Sequence, residues 1–119
     1  MLSLPSAVRI YLYAAPMDMR KSFDSLAALV QEHVGVDPFS GHWFVFRSRR
    51  GDRVKLLHWD RDGLALYYKR LEEGTFRFPS AIDAEAKSVE VTAEELSLLL
   101  WGIDPASVKR QKRYRRVVA

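Results

Sequence analysis

Residues His42–Leu71 constrain the fold more than any other part of the chain. Three runs rich in aromatic and β-branched residues occur there, separated by two turn signals, RRGD at Arg49–Asp52 and DRDG at Asp60–Gly63. Runs of this kind bounded by Gly and Asp are typical of β-hairpins with tight turns. The stretch is therefore predicted to form a three-stranded antiparallel β-meander, with Leu64–Leu71 as its third strand.

The register of the first predicted hairpin depends on the length of its loop. A three-residue loop would place Arg47 opposite Lys55 and Trp43 opposite Trp59, so that one face would mix aromatic and cationic side chains. A two-residue loop would instead pair Phe46 with Lys55. Since a shift of one residue reverses which side chains meet, the sequence leaves both registers open.

The segment before the meander is predicted to form a strand and an amphipathic helix. The strand covers Val8–Ala14, where aliphatic side chains alternate with Arg and Tyr. Asp18 or Ser22 is the expected N-cap of the helix, and Gly35 is expected to end it. We expect this helix to cover one face of the sheet with the apolar residues Phe23, Leu26, Ala27, Val30 and Val34.

The segment after the meander contains further predicted elements. Ser88–Val91 is predicted to be a short strand, and Thr92–Glu95 has the pattern of a capping box at the start of a second helix. Asp104-Pro105 has the pattern of an N-cap followed by the first helical position, which predicts a third, short helix. The buried face of the second helix is predicted to contain Leu96, Leu99, Leu100 and Ile103.

These elements predict an α+β fold, an antiparallel β-meander packed with two to three helices. The length of 119 residues fits one small domain, 1–108, followed by a basic C-terminal tail, 109–119. The absence of cysteine excludes disulfides, thiolate zinc sites and Cys nucleophiles. No apolar run approaches the ~20 residues that span a bilayer, and no signal-peptide pattern is present. The chain is therefore expected to be cytoplasmic and to have no membrane partner.

Charge is distributed unevenly along the chain. The meander has eight basic and three acidic residues, whereas Asp83–Asp104 has six acidic residues and one lysine. Lys109–Arg116 contains six basic residues and no acidic one. Two basic regions therefore flank an acidic one, which indicates a surface that binds a polyanion. The alternative is that these charges only keep a small domain soluble.

Nucleic acid is the polyanion that this composition favours. Lys and Arg neutralise phosphates, and exposed aromatic rings beside them can stack on bases. Trp43, Trp59, Tyr67 and Tyr68 are the aromatic candidates, with core packing as the alternative for the two tryptophans. The predicted DNA-binding residues are Arg47, Arg49, Arg50, Arg53, Lys55, Arg61, Lys109, Arg110, Lys112, Arg113, Arg115 and Arg116.

No catalytic residue, metal ligand or cofactor is predicted. Asp60 and Asp62 could suggest a metal-dependent nuclease, but they flank an arginine in a tight turn, where Asp is favoured for backbone hydrogen bonding. The histidines, His33, His42 and His58, lack metal-binding spacing, and no phosphate-loop, dinucleotide or nucleophile-elbow motif occurs. The chain is therefore not expected to be an enzyme.

Three long motifs in the same order resemble one protein family. They are MDMRKSFDSLAALV, FVFRSRRGDRVKLLHWDRDGLALYYKRLEEGTFRFP and VTAEELSLLLWGID, and the similarity extends from Val8 to Asp104. The chain resembles the TnpB accessory proteins of insertion-sequence family sixty-six. The resemblance implies a bacterial mobile-element protein that is encoded beside a separate transposase and is needed for efficient transposition. It implies no catalytic residues.

Two functions are compatible with these observations. The first is a non-catalytic accessory protein for DNA transposition that binds DNA, such as the element ends, through the basic hairpin and the tail. The alternative is a protein–protein adaptor that docks onto the transposase, another protein of the same element or a host factor, without contacting DNA. The adaptor would use the acidic region Glu90–Trp101 or an open sheet edge. A homo-oligomer is compatible with either function.

Overall fold

A computed structural model describes residues 7–79 and 87–101 of the chain. Its five strands form one sheet in the order β4-β3-β2-β1-β5. A π-helical turn, Val30–Val34, directly continues the first helix. In chain order the elements are β1 (Ile10–Tyr13), α1 (Phe23–Leu29), β2 (Trp43–Arg47), β3 (Arg53–Asp60), β4 (Gly63–Arg70), β5 (Ser88–Val91) and α2 (Ala93–Trp101).

The predicted antiparallel meander is confirmed for β2, β3 and β4. The whole sheet is mixed, however, because β1 pairs with β2 in parallel and with β5 in antiparallel orientation. The parallel pair requires a crossover connection, which α1 provides. The described ranges contain two α-helices, and the third helix predicted after Asp104 lies outside them. An α+β domain is therefore observed, but its sheet is not purely antiparallel.

The register of the first hairpin places Phe46 opposite Lys55 and Arg47 opposite Val54. The register with Arg47 opposite Lys55 is therefore wrong. Four residues, Arg49–Asp52, lie in the loop, and the backbone N–H of Ser48 donates to the carbonyl oxygen of Arg53 (3.0 Å). This register places Arg47 and Lys55 on opposite faces of the sheet, because side chains alternate along a strand.

Each face of the sheet is covered by one helix. On the α1 face, Leu26, Ala27 and Val30 pack against the strand residues Phe44, Phe46 and Leu57. On the α2 face, the core contains Ile10, Leu12, Trp43, Val45, Val54, Leu56, Phe76, Val91, Leu96 and Leu99. The burial of both faces explains why the central strand β2 has four consecutive buried residues rather than an alternating pattern.

The helix boundaries follow local sequence signals. The backbone N–H of Ser22, the N-cap of α1, donates to Ser25 Oγ (3.0 Å), and Gly35 ends the π-helical turn with φ 76°. At α2, the Thr92 N–H donates to the Glu95 carboxylate and the Glu95 N–H donates to Thr92 Oγ1, both at 3.0 Å. The predicted capping box is therefore confirmed.

The predicted buried faces of the helices are largely observed. Phe23 is the exception, because it is 43% exposed at the first position of α1, although the sequence pattern placed it in the buried face. Leu100 packs against the α2-face core, and the predicted core residue Ile103 lies outside the described residues. Within 7–79 and 87–101, no helix is long and apolar enough to cross a membrane.

Candidate nucleic-acid interface

The β2–β3 loop forms a firmly held tip at one end of the sheet. Gly51 adopts φ 79°, a conformation that favours glycine, and a Cβ at this position would contact Thr75 at 3.6 Å. The carbonyl oxygens of Gly51 and Asp52 accept hydrogen bonds from the N–H groups of Phe76 and Leu71, both at 2.8 Å. The segment after β4 therefore braces the loop.

The segment before α1 lies beside this loop. The Met17 N–H donates to the carbonyl oxygen of Arg47 (2.8 Å), and Met17 forms a parallel bridge with Ser48. This contact brings Asp18 and Arg20 next to the hairpin tip, although they are about 30 residues away in the sequence.

Together the two segments enclose an open depression of about 510 Å³. Four arginines line it, and two of them, Arg49 and Arg50, are exposed at the loop tip. Two acidic residues also line it, and each has a local partner: Asp18 pairs with Arg20 (2.7 Å), and Asp52 accepts from Ser48 Oγ (3.2 Å). The residues lining the depression are Met17, Asp18, Met19, Arg20, Ser48, Arg49, Arg50, Asp52 and Arg53.

A second depression of about 310 Å³ adjoins the first, because Arg53 lines both. Tyr68, Arg70 and Glu72 line the rest of it. Arg53 lies directly opposite Arg70 in the β3–β4 register, and the two side chains share the α1 face. The two guanidinium groups make this part of the surface positive. Because like charges directly opposite each other destabilise a sheet, the pair also favours binding of an anion between them.

Two predicted DNA-binding residues are partly or fully enclosed by the protein. Lys55 is 5% exposed, and its ammonium group donates to the carbonyl oxygens of Met19 and Lys21. Arg47 lies on the α2 face, where its guanidinium donates to the carbonyl oxygen of Ala14 and lies 5.4 Å from the centre of the Phe78 ring. Both side chains therefore donate hydrogen bonds to backbone carbonyl oxygens.

The other predicted residues lie in different parts of the chain. Arg61 is in the β3–β4 turn with φ 59°, at the far end of the eight-residue strand β3. At about 3.3 Å per residue, roughly 25 Å separates it from the arginine-lined tip. The tail residues Lys109, Arg110, Lys112, Arg113, Arg115 and Arg116 lie outside the described residues. Among the predicted residues that lie within 7–79 and 87–101, Arg49, Arg50 and Arg53 are the ones that line the first depression.

Sequence reasoning missed Arg20 and Arg70 as members of this surface. Arg20 lies in a segment with no excess of basic residues, and only its contact with the hairpin places it there. Arg70 was counted in the basic meander, but its pairing with Arg53 depends on the register. Of the aromatic candidates, Trp43 is buried, Trp59 packs edge-on against Phe39 (5.5 Å), and Tyr68 is 47% exposed beside the arginines.

Four groups considered for catalysis, Asp60, Asp62, His42 and His58, lie at the β3–β4 turn, just before β2 and within β3. Asp60 pairs with Gly63 across a two-residue turn, as the DRDG pattern predicts. His42 Nδ1 accepts a hydrogen bond from the Arg9 N–H (3.0 Å), and His58 packs 4.9 Å from the Trp43 ring. In the part of the chain that the structure describes, no three His, Asp or Glu side chains are grouped to hold a metal ion.

The carboxyl group of Asp18, which lines the first depression, has a lowered pKa. Hydrogen bonds from the Arg20 side chain and backbone lower the pKa of its carboxyl from 3.8 to about 2. A carboxyl with a lower pKa in the folded state than in the unfolded state stabilises the fold at pH values above its unfolded-state pKa. This contribution is lost as the pH falls from about 4 to 2. We expect a carboxyl NMR titration to place the Asp18 midpoint near pH 2.

The variant Arg20→Gln should return the Asp18 midpoint toward its ordinary value, and the remote variant Arg9→Gln should leave it unchanged. Because both partners are exposed, we expect little effect on the free energy of unfolding at neutral pH. Equal midpoints in the parent and Arg20→Gln would contradict the Arg20–Asp18 pairing.

The fold and this surface define a small α+β protein with an arginine-lined depression at one end of its sheet. The chain belongs to the IS66 Orf2-like family, TnpB_IS66, whose pattern matches residues 8–110. The resemblance seen in the sequence motifs is therefore confirmed. Membership of this family makes the chain an accessory protein associated with insertion-sequence transposition.

Two Sinorhizobium fredii proteins are similar to the chain over most of their length. The uncharacterized protein y4jC is 38% identical over 111 residues, which cover 93% of this chain and 92% of y4jC. The uncharacterized protein y4hO is 42% identical over 103 residues, which cover 85% of this chain and 87% of y4hO. No solved structure shows significant similarity to the chain.

Proposed function

We propose that the protein assists transposition by binding DNA without performing chemistry on it. The binding surface is the arginine-lined depression at the β2–β3 tip, extended by the basic tail 109–119. The observation that carries the proposal is the convergence of Arg20, Arg49, Arg50 and Arg53 at one open depression. Guanidinium groups bind phosphate through paired N–H donors, which makes such a cluster suited to a DNA backbone.

The local geometry favours binding over a purely structural role for the tip arginines. Arg49 and Arg50 are exposed, and the loop that presents them is fixed by hydrogen bonds to Leu71 and Phe76. A fixed loop loses little conformational freedom when it binds, which favours affinity. The Asp18 carboxylate competes with phosphate for Arg20, so the net attraction is weaker than the number of arginines alone would give.

Contacts of this kind position a protein on DNA without reading its sequence. We therefore propose that the tip and the tail hold the element DNA, and that recognition of particular element ends rests with the transposase. The protein would then act as a DNA-holding subunit of the transposition complex.

The test is fluorescence anisotropy with duplex DNA over a series of salt concentrations. The double variant Arg49→Gln/Arg50→Gln should bind about ten-fold more weakly at low salt, and the negative slope of log affinity against log salt should become less steep by about 2. The control for position is Arg61→Gln, which removes one positive charge at the opposite end of β3 and should weaken binding less than about two-fold. Deletion of 109–119 should make this slope less steep still.

A parent protein whose affinity does not depend on salt, or equal losses in the double variant and in Arg61→Gln, would overturn this proposal. The adaptor function is the second candidate, since Glu94, Glu95 and Trp101 are exposed on α2, where Trp101 is 52% exposed. Co-purification with the transposase, combined with no binding of DNA by the protein alone, would favour the adaptor.

A further inference from the structure

Tyr68 lines the second depression and belongs to the edge strand β4. The α1 helix covers the part of this strand that contains Leu64 and Leu66, whereas Tyr68 and Arg70 lie beyond it and are exposed. The Tyr68 ring is therefore available at the surface, next to the arginine-lined depression.

The orientation of the Tyr68 ring is fixed by two neighbouring cations. Its hydroxyl oxygen accepts a hydrogen bond from Arg53 Nη1 (3.2 Å), and the Lys55 ammonium lies 4.6 Å from the ring centre. Since Lys55 is 5% exposed, it approaches the ring from the protein side. Because Tyr68 is 47% exposed, we infer that the side of the ring away from Lys55 is the part available to a ligand.

The charges around the ring favour an anion. Arg53 and Arg70 face each other across the β3–β4 pair, and a phosphate between them would relieve their repulsion. Glu72, at 3.1 Å from Arg70, is the acidic group in this depression. Both partners of that pair are more than half exposed, so the pair is weak and phosphate can compete with it.

An open aromatic face beside two opposed arginines matches one nucleotide with an unpaired base. The phosphate would lie between Arg53 and Arg70, and the base would stack on Tyr68. In a duplex, the faces of internal bases are covered by their neighbours, so only single-stranded or frayed DNA offers a base to this ring. We propose that Tyr68 and the Arg53–Arg70 pair form a binding site for single-stranded DNA; this inference rests on the proposed function.

The test compares the affinities of the full chain for oligothymidine and for a duplex of the same length. We expect the parent to prefer the single strand, and Tyr68→Leu to lower that affinity about ten-fold while duplex affinity changes less than two-fold. The matched control is Tyr67→Leu, because Tyr67 is the neighbouring tyrosine, 48% exposed on the opposite face of the sheet. It should leave both affinities unchanged.

A second measurement uses the unsubstituted protein and so does not depend on the folding of a variant. On irradiation, a single strand containing 5-iodouracil should cross-link to Tyr68 and not to Tyr67, as located by fragmentation of the cross-linked peptide. Cross-links elsewhere only, or equal effects of the two tyrosine variants, would overturn the inference. If duplex binds as tightly as single strand and Tyr68→Leu is neutral, the single-strand site fails and DNA binding stands. If neither form of DNA binds, both proposals fail.

Discussion

Replacing Phe44 by alanine is expected to lower the free energy of unfolding by roughly 3–5 kcal/mol. Phe44 is 1% exposed in the central strand β2, and its ring stacks on Tyr11 with 5.8 Å between ring centres. It also belongs to the core beneath α1, together with Leu26 and Val30. Removing the ring leaves a cavity between the sheet and the helix that a rigid sheet cannot close. Urea unfolding followed by circular dichroism measures the effect.

Phe39→Ala is the matched control for this prediction. The Phe39 side chain is 51% exposed and forms a T-shaped pair with the Trp59 ring, with 5.5 Å between ring centres. Its loss should cost less than about 1 kcal/mol. If Phe44→Ala does not fold, Phe44→Leu still tests the prediction, with an expected cost of about 1–2 kcal/mol. Equal costs at positions 39 and 44 would mean that the α1 face is not a packed core.

The parts of the fold that depend on local chemistry could be predicted from the sequence. The Gly and Asp pattern correctly located both turns of the meander, although the positive φ falls on Gly51 in the first turn and on Arg61, not Gly63, in the second. The predicted strand Ser88–Val91 and the Thr92–Glu95 capping box are observed with the same boundaries. In each case the signal and the structure lie within a few residues of each other.

The parts that depend on distant contacts could not be predicted in this way. The parallel pairing of β1 with β2 joins segments 33 residues apart, and no local pattern encodes it. The same contact network brings Arg20 to the hairpin tip. The sequence shows that Arg49 and Arg50 lie at a turn, but only the folded chain shows which other cations share their surface.

Lys55 shows most clearly how tertiary structure changes the role of a residue. Within a basic stretch it has the features of a surface cation, since lysine is almost never fully buried. The hairpin register instead directs it under the 19–21 segment, where its ammonium binds the carbonyl oxygens of Met19 and Lys21. Lys55 therefore connects strand β3 to the loop that contains Arg20.

Replacing Lys55 by methionine is expected to lower the free energy of unfolding by about 2 kcal/mol. Hydrogen bonds from a charged group contribute roughly 1.5–3 kcal/mol each, and the variant loses two of them. Part of this loss is offset, because the buried ammonium no longer has to be removed from water. Methionine retains the unbranched side chain that fills the space, so the effect reports on the ammonium group alone. Lys87→Met, at an exposed position, should change stability by less than about 0.5 kcal/mol.

The same variant should also affect the proposed DNA-binding surface, which distinguishes a positioning role from simple stabilisation. Without the Lys55 ammonium, the Met19–Lys21 carbonyls lose their anchor, and Arg20 loses its fixed place at the depression. We expect amide hydrogen exchange of residues 19–21 to become faster while exchange in β3 is little changed. DNA affinity should fall a few-fold under conditions where the variant is fully folded. Unchanged exchange at residues 19–21 would contradict the positioning role of Lys55. A variant more stable than the parent would show that the cost of burying the charge exceeds what its two hydrogen bonds contribute.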